Sequence, residues 1–344
     1  MTEPAPWVLH VDLDQFIAAV EVLRRPELAG LPVIVGGRGD PTERAVVSTA
    51  SYEAREFGVG SGMPLRIAAR KVPDAVILPV DAPAYNAASE EVMATLRAQP
   101  GAVVQVLGWD EAFVGVHTDD PEGYARRLQQ AVLERTQLHC SVGIGDTLVR
   151  AKVATGFGKP RGVFRLTAEN WFEVMGERPT DALWGIGRKT AKKLAGVGIG
   201  TVRELASADP QALAATFGPA TGPWLIRLAR GWDRTPVEGT PYVARSRSRE
   251  TTFQADLEDW VEVRREVAAI ARRVADDVVA EQRPAARVVV KVRHAPFFTS
   301  THGVALEQPT DDPALIERAA LVALDRFDDH RPVRLLGVRA EFAR

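Results

Sequence analysis

Alternating apolar positions open the chain. Between residues 7 and 12, Trp7, Leu9 and Val11 occupy one face of an extended segment, and this period of two predicts a strand. From Phe16 to Leu23 the apolar residues recur at helical spacing instead. The start of the chain is therefore predicted to form a strand, a sharp turn and a helix.

The same two periods organise the chain as far as residue 144. They predict a helix at about 84–98, strands near 102–108 and 112–117, a helix at about 121–136 and a strand at 139–144. With the first strand this gives a β-α-β-β-α-β order, interrupted by an insertion at about 15–80, which is the ferredoxin-like (βαββαβ) plan. In that plan the first strand lies beside the central hairpin.

The pattern changes after Pro179. Residues 180–230 are helical, short-turned and punctuated by glycine, which predicts a separate small helical domain. The polar, irregular segment 231–244 indicates a linker. A second α+β domain is predicted beyond it: RSRSRETTF, a helix at about 257–282, the strand RVVVKVRH, a weaker strand or loop through THGVAL, a helix near 312–328 and the final strand VRLLGVRAEF.

Three carboxylates lie at or beside the ends of apolar, strand-like runs: Asp12 in WVLHVDLDQF, and Asp110 and Glu111 in VVQVLGWDEAFVGV. An ionised side chain in such a position is costly to bury without a cation, and hard oxygen ligands suit Mg²⁺ or Mn²⁺. If the strands are neighbours, the acids converge at one sheet edge, a setting for the two-metal chemistry of phosphoryl or nucleotidyl transfer. The alternative is that they are ordinary acids at turns.

Composition limits the class of protein. The chain has 344 residues, 46% hydrophobic content and a formal net charge of −2, which suits a folded protein of two or more domains. The single Cys140 lies in an apolar run, so we expect a packed thiol and no disulfide framework. There is no leader pattern and no apolar stretch of about 18 residues, so we expect a cytoplasmic protein without membrane contact. Nucleic-acid binding would have to come from local basic surfaces.

One such surface is predicted in WGIGRKTAKKL. Its glycines predict a tight turn between two helices, and a helix-hairpin-helix loop of this kind presents backbone N–H groups and nearby cations to a phosphate. The alternative is a plain glycine turn beside a solvated basic helix. The candidate DNA contacts here are Gly185, Gly187, Arg188 and Lys189.

The last domain has two strand-like runs with a basic residue at nearly every second position. In RVVVKVRH one face is basic and the other is apolar, and RSRSR repeats the period. Two strands with the same pattern predict one groove that follows a nucleic-acid backbone, whereas a solvated sheet face is the alternative. The candidates are Arg245, Arg247, Arg249, Arg287, Lys291 and Arg293.

A further set could hold phosphates. Tyr52 and Arg55 are three residues apart, on one face of a predicted helical turn, and Lys159 lies in ATGFGKPRG. A phenol, a guanidinium and an ammonium together can hold a triphosphate opposite metal-bound carboxylates. For Arg55 alone, a surface salt bridge is the alternative.

Eight blocks, in their order along the chain, resemble the Y-family DNA polymerases of the DNA polymerase IV (DinB) type: HVDLDQF, ASYEAREFGV, GWDEAFVGV, CSVGIG, AKVATGFGKP, LWGIGRKTAKKL, RSRSRETTF and VRLLGVR. The resemblance covers nearly the whole chain and implies an α+β multidomain, right-hand polymerase with a ferredoxin-like palm. The implied domains are a palm at 1–14 and 81–170, fingers at 15–80, a helix-hairpin-helix thumb at 171–232, a linker at 233–244 and a little finger at 245–344.

The residues that the resemblance assigns fall into two groups, one for two Mg²⁺ or Mn²⁺ ions and one for the nucleotide. The implied metal ligands are Asp12, Asp110 and Glu111 with the Leu13 carbonyl, and the implied triphosphate clamp is Tyr52, Arg55 and Lys159 with the backbone amides of Phe16 and Ile17. The implied activity is template-directed addition of nucleotides to a primer 3′-hydroxyl on DNA, without proofreading and past template lesions. We expect a monomer.

Ile17 departs from the family pattern. The position after Phe16 normally carries a Phe or Tyr, whose ring lies against the sugar and excludes a 2′-hydroxyl, and a shorter aliphatic side chain weakens that clash. We therefore expect ready use of ribonucleoside triphosphates beside dNTPs. Ser48 and Thr49 are candidates for hydrogen bonds to the sugar or base. The alternative is that Ile17 only packs and another residue excludes the hydroxyl.

The C-terminal sequence bears on recruitment to DNA, and the blocks after residue 180 bear on two alternative functions. The sequence ends at Phe342, Ala343 and Arg344 without the glutamine-and-hydrophobic peptide that family members often dock on the sliding clamp, so recruitment by that route is not expected. A nucleotide cyclase shares the palm topology but has no use for the DNA-gripping blocks after residue 180. A DNA-binding accessory protein with an inactive polymerase fold would not be expected to keep all three acids.

Overall fold

The computed structural model describes residues 6–233 and 236–343. Residues 1–5 of the predicted palm, two positions of the predicted linker, 234 and 235, and the last residue of the chain lie outside the described residues. The chain forms two compact units, the first of residues 1–40 and 46–241 and the second of residues 41–45 and 242–344.

The first part of the first unit carries most of its strands. In chain order the elements are β1 (Pro6–Leu13), α1 (Phe16–Arg24), β2 (Val33–Gly36), β3 (Val47–Ala50), α2 (Tyr52–Glu56), α3 (Leu65–Lys71), β4 (Val76–Leu78), α4 (Ala82–Arg97), β5 (Val103–Val106), β6 (Glu111–His117), α5 (Pro121–Thr136), β7 (Cys140–Gly145), α6 (Leu148–Gly158) and β8 (Val163–Leu166). Asp81 and Asp120 cap the starts of α4 and α5, each followed by a proline in the first turn, which is a favourable helix start.

The main sheet of this unit has the strand order β5-β6-β1-β7-β8. β1 pairs antiparallel with both β6 and β7, so the predicted ferredoxin-like core is confirmed, with the first strand beside the central hairpin. The structure adds β8, which extends the sheet parallel to β7 and was not predicted. One buried cluster, which includes Leu9, Tyr85 and Leu128, joins α1, α4 and α5 to this sheet.

The insertion after β1 forms its own small sheet of β2, β3 and β4 in the order β3-β2-β4. β2 pairs antiparallel with β3 and parallel with β4. Ser51 caps α2, because its side chain accepts a hydrogen bond from the backbone N–H of Ala54. This cap fixes where Tyr52 begins the helix.

The rest of the first unit is helical, as predicted. Its elements are α7 (Trp171–Met175), α8 (Arg188–Ala195), α9 (Val202–Ala206), α10 (Pro210–Phe217) and α11 (Thr221–Ala229). A separate buried cluster around Trp171, Leu194 and Leu205 holds them together. The segment before α8, predicted as the first helix of the hairpin, contains a 3-10 turn at Thr180–Ala182.

The second unit is an antiparallel sheet with helices on one face. Its elements are β9 (Ser246–Leu257), α12 (Trp260–Glu281), β10 (Ala285–His294), β11 (Thr299–Thr310), α13 (Pro313–Leu324) and β12 (Val333–Phe342), and the strand order is β11-β10-β12-β9. The segment through THGVAL, predicted as a weak strand or loop, is part of the twelve-residue strand β11. Across the described ranges, 6–233 and 236–343, no helix has the length and apolar character to cross a membrane.

Candidate active site

The site is built at the end of β1, where Asp12 lies directly opposite Glu111 in the antiparallel register with β6. Side chains opposite each other in such a ladder lie on the same face. His10, on the same face of β1, Asp12 and Glu111 each offer one ligand atom, and these atoms all lie within 4.8 Å of one another. The predicted convergence of Asp12 and Glu111 is therefore present in the structure.

Asp110 lies just before β6, in the turn that follows β5. Its carbonyl accepts a hydrogen bond from the backbone N–H of Leu13 at 2.8 Å, which ties the turn to the end of β1. Partial desolvation, and then the negative charges of Asp12 and Glu111, raise the pKa of Asp110. Three carboxylates so close together repel one another unless a cation is present.

Two lysine ammonium groups supply positive charge to these acids. Nζ of Lys159 donates to Oδ1 of Asp12, and Nζ of Lys152 donates to Oε2 of Glu111. Nε2 of His10 lies 3.2 Å from the same Glu111 oxygen. The hydrogen bond with His10, and then Lys152, lower the pKa of Glu111 to about 2. Glu111 is thus held as an anion.

His10 is fully buried. Its Nδ1 lies 2.8 Å from the Thr155 hydroxyl oxygen on α6, and its Nε2 lies 3.1 Å from the Lys152 ammonium. Burial lowers the pKa of His10, so the ring is neutral near pH 7. Neither His10 nor Lys152 was among the predicted site residues, although His10 shares the strand parity of Asp12.

The three predicted clamp residues reach the same end of β1. Oη of Tyr52 donates to Oδ1 of Asp14 at 2.8 Å, and the guanidinium carbon of Arg55 lies 5.0 Å from the centre of the Tyr52 ring. Nε of Arg55 also donates to the Ala50 carbonyl at 2.9 Å. Of the three, Lys159 contacts one of the acids, Asp12. Their binding of a triphosphate stays a prediction.

The start of α1 follows directly after the turn at the end of β1. Helix α1 begins at Phe16, and Gln15 at its N-cap is left-handed, with φ of 46°, and makes no side-chain cap. The first-turn N–H groups of a helix have no partner within the helix, so the amides of Phe16 and Ile17 suit an anion. The Ile17 side chain is 8% exposed and belongs to the core of the unit. This burial agrees with the packing alternative and leaves the sugar gate a prediction.

Ser48 and Thr49 are both half-buried in β3. Adjacent residues of a strand point to opposite faces, so both cannot present their hydroxyl groups to one nucleotide from the same face of β3. The carbonyl of Ser48 accepts a hydrogen bond from Oγ of Ser61 at 2.8 Å. Their contact with a sugar or base stays a prediction.

The glycine turn before α8 combines a left-handed glycine with a helix start that has no side-chain cap. Gly185 has φ of 95°, a backbone conformation that favours glycine. An added Cβ would lie 3.1 Å from the Trp224 ring, so the ring would have to shift slightly. Gly187 is the N-cap of α8 and provides no side-chain cap. Arg188 and Lys189 follow at the helix start and are exposed. The turn therefore offers uncapped amides next to two solvated cations.

The six basic candidates of the second unit do not share one surface. Arg247 and Arg249 pair with Ala340 and Val338 of β12, which are in register with the buried Val288 and Val290 of β10. These arginines therefore lie on the helix-covered face, and they form ion pairs with two acids of α12, Glu281 and Asp277.

Arg287, Lys291 and Arg293 lie on the opposite, open face of the sheet. They alternate along β10 with the buried valines, and adjacent residues of a strand point to opposite faces. The expectation that β9 and β10 present one continuous basic groove is thus wrong, since the register through β12 sends the two sets to opposite faces. The open face instead adds Arg339 of β12, which sequence reasoning missed. Arg245 precedes β9, and its carbonyl accepts a hydrogen bond from the backbone N–H of Phe342 at 3.0 Å.

Comparison with known proteins supplies the family. The model of the impB/mucB/samB family matches residues 11–156, and the model of its C-terminal domain matches residues 244–342. A third model, the SAM-like helix-hairpin-helix tandem, matches residues 182–222, which contain the glycine turn before α8.

Relatives and solved structures agree with these matches. Two proteins called DNA polymerase IV 2, from Mycobacterium tuberculosis and Mycobacterium bovis, are 53% identical over 348 residues, covering 100% of this chain and of their own. DNA polymerase IV of Methanoculleus marisnigri is 41% identical, covering 98% of this chain and 95% of its own.

A chimeric Y-family DNA polymerase matches with a TM-score of 0.85 at 26% identity, covering 97% of this chain and 98% of its own. DinB from Sulfolobus solfataricus matches with a TM-score of 0.64 at 27% identity, covering 98% of each chain. Fold, motifs and relatives agree on a mixed α+β architecture with palm, fingers, helix-hairpin-helix thumb and little finger. The chain therefore belongs to the impB/mucB/samB family, as one of the Y-family DNA-directed DNA polymerases of the DNA polymerase IV (DinB) type.

Proposed function

We propose that this chain extends a DNA primer past template lesions by two-metal nucleotidyl transfer, with Asp12, Asp110 and Glu111 as the metal ligands. The observation that carries the proposal is the register that sets Asp12 opposite Glu111, with Lys159 on the first acid. A primer terminus and a triphosphate need acids and cations side by side, and this end of β1 has both. The relatives' name, DNA polymerase IV, supports the same activity.

The donor set fits two hard divalent ions. Carboxylate oxygens, with the Leu13 carbonyl at the end of β1, are the ligands that Mg²⁺ and Mn²⁺ prefer. The pKa of Asp110 is raised by its partial burial and then by the negative charges of Asp12 and Glu111, and a bound cation relieves that repulsion. When bound, such ions would lower the pKa of the primer 3′-hydroxyl and neutralise the phosphates and the leaving pyrophosphate.

The remaining steps fall to the chain itself. Tyr52, Arg55 and Lys159, with the amides at the start of α1, hold the triphosphate so that its α-phosphorus faces the primer 3′-oxygen. The 3′-oxygen then bonds to the α-phosphorus, the bond to the bridging oxygen of the β-phosphate breaks, and pyrophosphate leaves. The hydroxyl proton passes to water. No block of the sequence resembles a proofreading exonuclease, so errors would persist.

The proposal also assigns domain boundaries and a residue that decides which sugar is accepted. We assign the palm to 1–14 and 81–170, the fingers to 15–80, the thumb to 171–232 and the little finger to 245–344, and we expect the protein to act in the cytoplasm as a monomer. Ile17 in place of an aromatic gate lets ribonucleotides enter beside dNTPs. Uncapped amides and exposed cations at Gly187, Arg188 and Lys189 support DNA binding through phosphates.

The test is primer extension on a DNA template with dNTPs and rNTPs in parallel reactions. Asp110→Asn serves as the blank, because it keeps the shape of the side chain and removes its charge. Extension with both nucleotide types, abolished in Asp110→Asn, is the expected result. Extension with dNTPs only would keep the polymerase and overturn the role given to Ile17.

Two other outcomes identify the competing functions. DNA binding without extension by the wild-type protein would favour an accessory protein with an inactive polymerase fold. Formation of a cyclic nucleotide from triphosphate alone, without primer and template, would favour a nucleotide cyclase. The three acids and the clamp residues meeting at one strand end argue against the first, and the helix-hairpin-helix segment argues against the second.

A further inference from the structure

Asp14 is a buried carboxylate that the polymerase chemistry described above does not use. Its side chain is 4% exposed, immediately after the end of β1. Oδ1 accepts hydrogen bonds from Oη of Tyr52 at 2.8 Å and from Oγ of Ser141 at 2.9 Å. Oδ2 accepts from the backbone N–H of Arg161 at 2.8 Å. Hydrogen bonds to a charged acceptor are stronger than neutral ones, so Asp14 is a firm anchor for three separate segments.

Two of the three donors lie on segments that carry the triphosphate clamp. Tyr52 is itself a clamp residue and begins α2, and its backbone N–H donates to Oε1 of Gln15 at 2.5 Å. The segment is thus held at two points to the turn after β1. Arg55, one turn along α2, lies against the Tyr52 ring. Fixing Tyr52 therefore also fixes the position of Arg55.

The other clamp segment is the turn that follows α6. Arg161 comes two residues after Lys159, and its left-handed backbone, with φ of 57°, aims its N–H at Asp14. Lys159 in turn places its ammonium on Asp12. One carboxylate therefore connects Tyr52 of the insertion to the turn that carries Lys159.

The proton on Tyr52 supports this role. Desolvation, and then the hydrogen bond to Asp14, raise the pKa of the Tyr52 phenol, so the hydroxyl stays protonated and donates. A phenol has one proton to give. Asp14 accepts that proton, so the hydrogen bond fixes the direction of the Tyr52 hydroxyl before a nucleotide binds.

We propose that Asp14 is the positioning residue of the triphosphate clamp, which sets Tyr52, Arg55 and Lys159 at their mutual distances before the nucleotide arrives. The inference rests on the proposed function, because it takes these three residues as the clamp. Asp14 touches neither nucleotide nor ion in this scheme. Its removal should weaken nucleotide binding and leave metal use and the chemical step largely intact.

The experiment compares Asp14→Asn with Ser141→Ala in the full chain. Ser141 is also buried and donates to the same carboxylate, but its strand, β7, carries none of the three clamp residues. For each variant we would measure kcat and KM for dNTP, the Mg²⁺ concentration at half-maximal rate, Tm, and the Kd of dNTP on a dideoxy-terminated primer, where no bond can form.

Asp14→Asn is expected to raise both the KM and the Kd for dNTP about tenfold. Its kcat at saturating dNTP and its Mg²⁺ midpoint should change by less than about threefold. Ser141→Ala should change KM less than about twofold while lowering Tm. If both variants raise KM equally, Asp14 acts only through general stability and the inference fails. A loss of kcat with an unchanged dNTP Kd would overturn it as well.

Tyr52→Phe keeps the test decisive if Asp14→Asn does not fold. It removes the Tyr52 hydroxyl, which is both a donor to Asp14 and part of the clamp. We expect a raised KM for dNTP, and a KM equal to that of the wild type would overturn the inference. Where both fold, the double variant should raise KM by less than the product of the two single effects, because the two residues share one hydrogen bond.

Lys159→Ala and Arg55→Ala separate the inference from the proposed function. If they raise the KM for dNTP and Asp14→Asn does not, the clamp stands and the role of Asp14 is wrong. If neither raises it, the clamp assignment itself is wrong.

Discussion

Nζ of Lys159 donates a hydrogen bond to Oδ1 of Asp12, although the two residues are 147 positions apart in the chain. Lys152 makes the corresponding contact with Glu111. The protein alone thus holds an ammonium group at two of its three acids. Because these groups are mobile cations on flexible stems, they hold the acids together and can move when an ion or a triphosphate enters.

Replacing Lys152 by glutamine is expected to tighten Mn²⁺ binding to the protein alone. Its ammonium lies on Glu111, where it competes with an ion for the same carboxylate. Two unit charges about 4 Å apart near a protein surface repel by about 4 kcal/mol, so a fraction of that energy is enough for an effect of about tenfold in Kd. The Kd for Mn²⁺ is measured from the signal of free Mn²⁺ in electron paramagnetic resonance.

Lys193→Gln is the matched control for Lys152→Gln. The Lys193 ammonium donates to the Thr216 carbonyl at 2.5 Å and lies 4.6 Å from the Phe217 ring centre, so it is tied to the helical part of the unit. Mn²⁺ affinity in this control should equal that of the wild type. Weaker binding by Lys152→Gln would mean that the ammonium supports the ion site and does not compete with the ion.

Ile17→Phe is expected to raise selectivity for dNTPs over rNTPs by about tenfold or more, since each 1.4 kcal/mol of restored clash is about tenfold in rate. The readout is the ratio of kcat/KM for a dNTP and the matching rNTP. Ile17 is 8% exposed, so the larger ring also strains the core, at about 1–3 kcal/mol of folding stability.

Ile17→Leu controls for that packing effect, because its volume is conserved. Its sugar selectivity should stay at the wild-type value. A gain of selectivity in Ile17→Leu, or none in Ile17→Phe, would assign sugar choice to another residue.

Lys189→Gln should weaken DNA binding and reduce its salt dependence. Lys189 is exposed at the start of α8, beside the uncapped turn. If it neutralises one phosphate, its replacement should lower the slope of log K against log[salt] by about 0.9. Fluorescence anisotropy of a labelled duplex over a salt series gives the slope. Lys193→Gln should leave the slope unchanged and lower Tm, because that ammonium is engaged within the fold. Equal slopes for the wild type, Lys189→Gln and Lys193→Gln would show that Lys189 does not contact a DNA phosphate.

The single thiol should be inert in the folded protein and reactive after unfolding. Cys140 is 2% exposed in β7, and burial raises its pKa from 9.0 to about 12. Because the folded-state pKa lies above the unfolded one, the stability that this group contributes is complete below about pH 9 and is lost as the pH rises toward 12.

The rate of reaction with a disulfide reagent at pH 8, with and without denaturant, measures this difference for Cys140. We expect no labelling of the native protein over the time that labels the unfolded chain completely. Rapid native labelling would show that β7 opens locally or that the thiol is accessible.

Some residues of the candidate site could be predicted from the sequence, and others could not. Asp12 and Glu111 were predicted because charged residues at the ends of apolar runs are expensive to bury, and this pattern is visible along the chain. Asp14 was not predicted, since it looks like an ordinary turn residue. Its partners Tyr52, Ser141 and Arg161 are far away in sequence. A local sequence pattern therefore does not show that Asp14 accepts hydrogen bonds from them.

The basic strands of the second unit show the same limit. The sequence by itself determined that β9 and β10 each carry charge on one face, since side-chain alternation is local to a strand. Only the tertiary structure decided that Arg249 and Lys291 lie on opposite faces, because relative parity depends on the register of both strands with β12.

For the protein as a whole, the sequence by itself determined most of the elements, the ferredoxin-like order, the candidate acids and the family, because these depend on local periods and short motifs. The tertiary structure decided which cations meet which acids, and it joined the Tyr52 and Lys159 segments through Asp14. The physical reason is that a hydrogen bond or an ion pair forms between groups a few ångströms apart in space, whatever their separation along the chain.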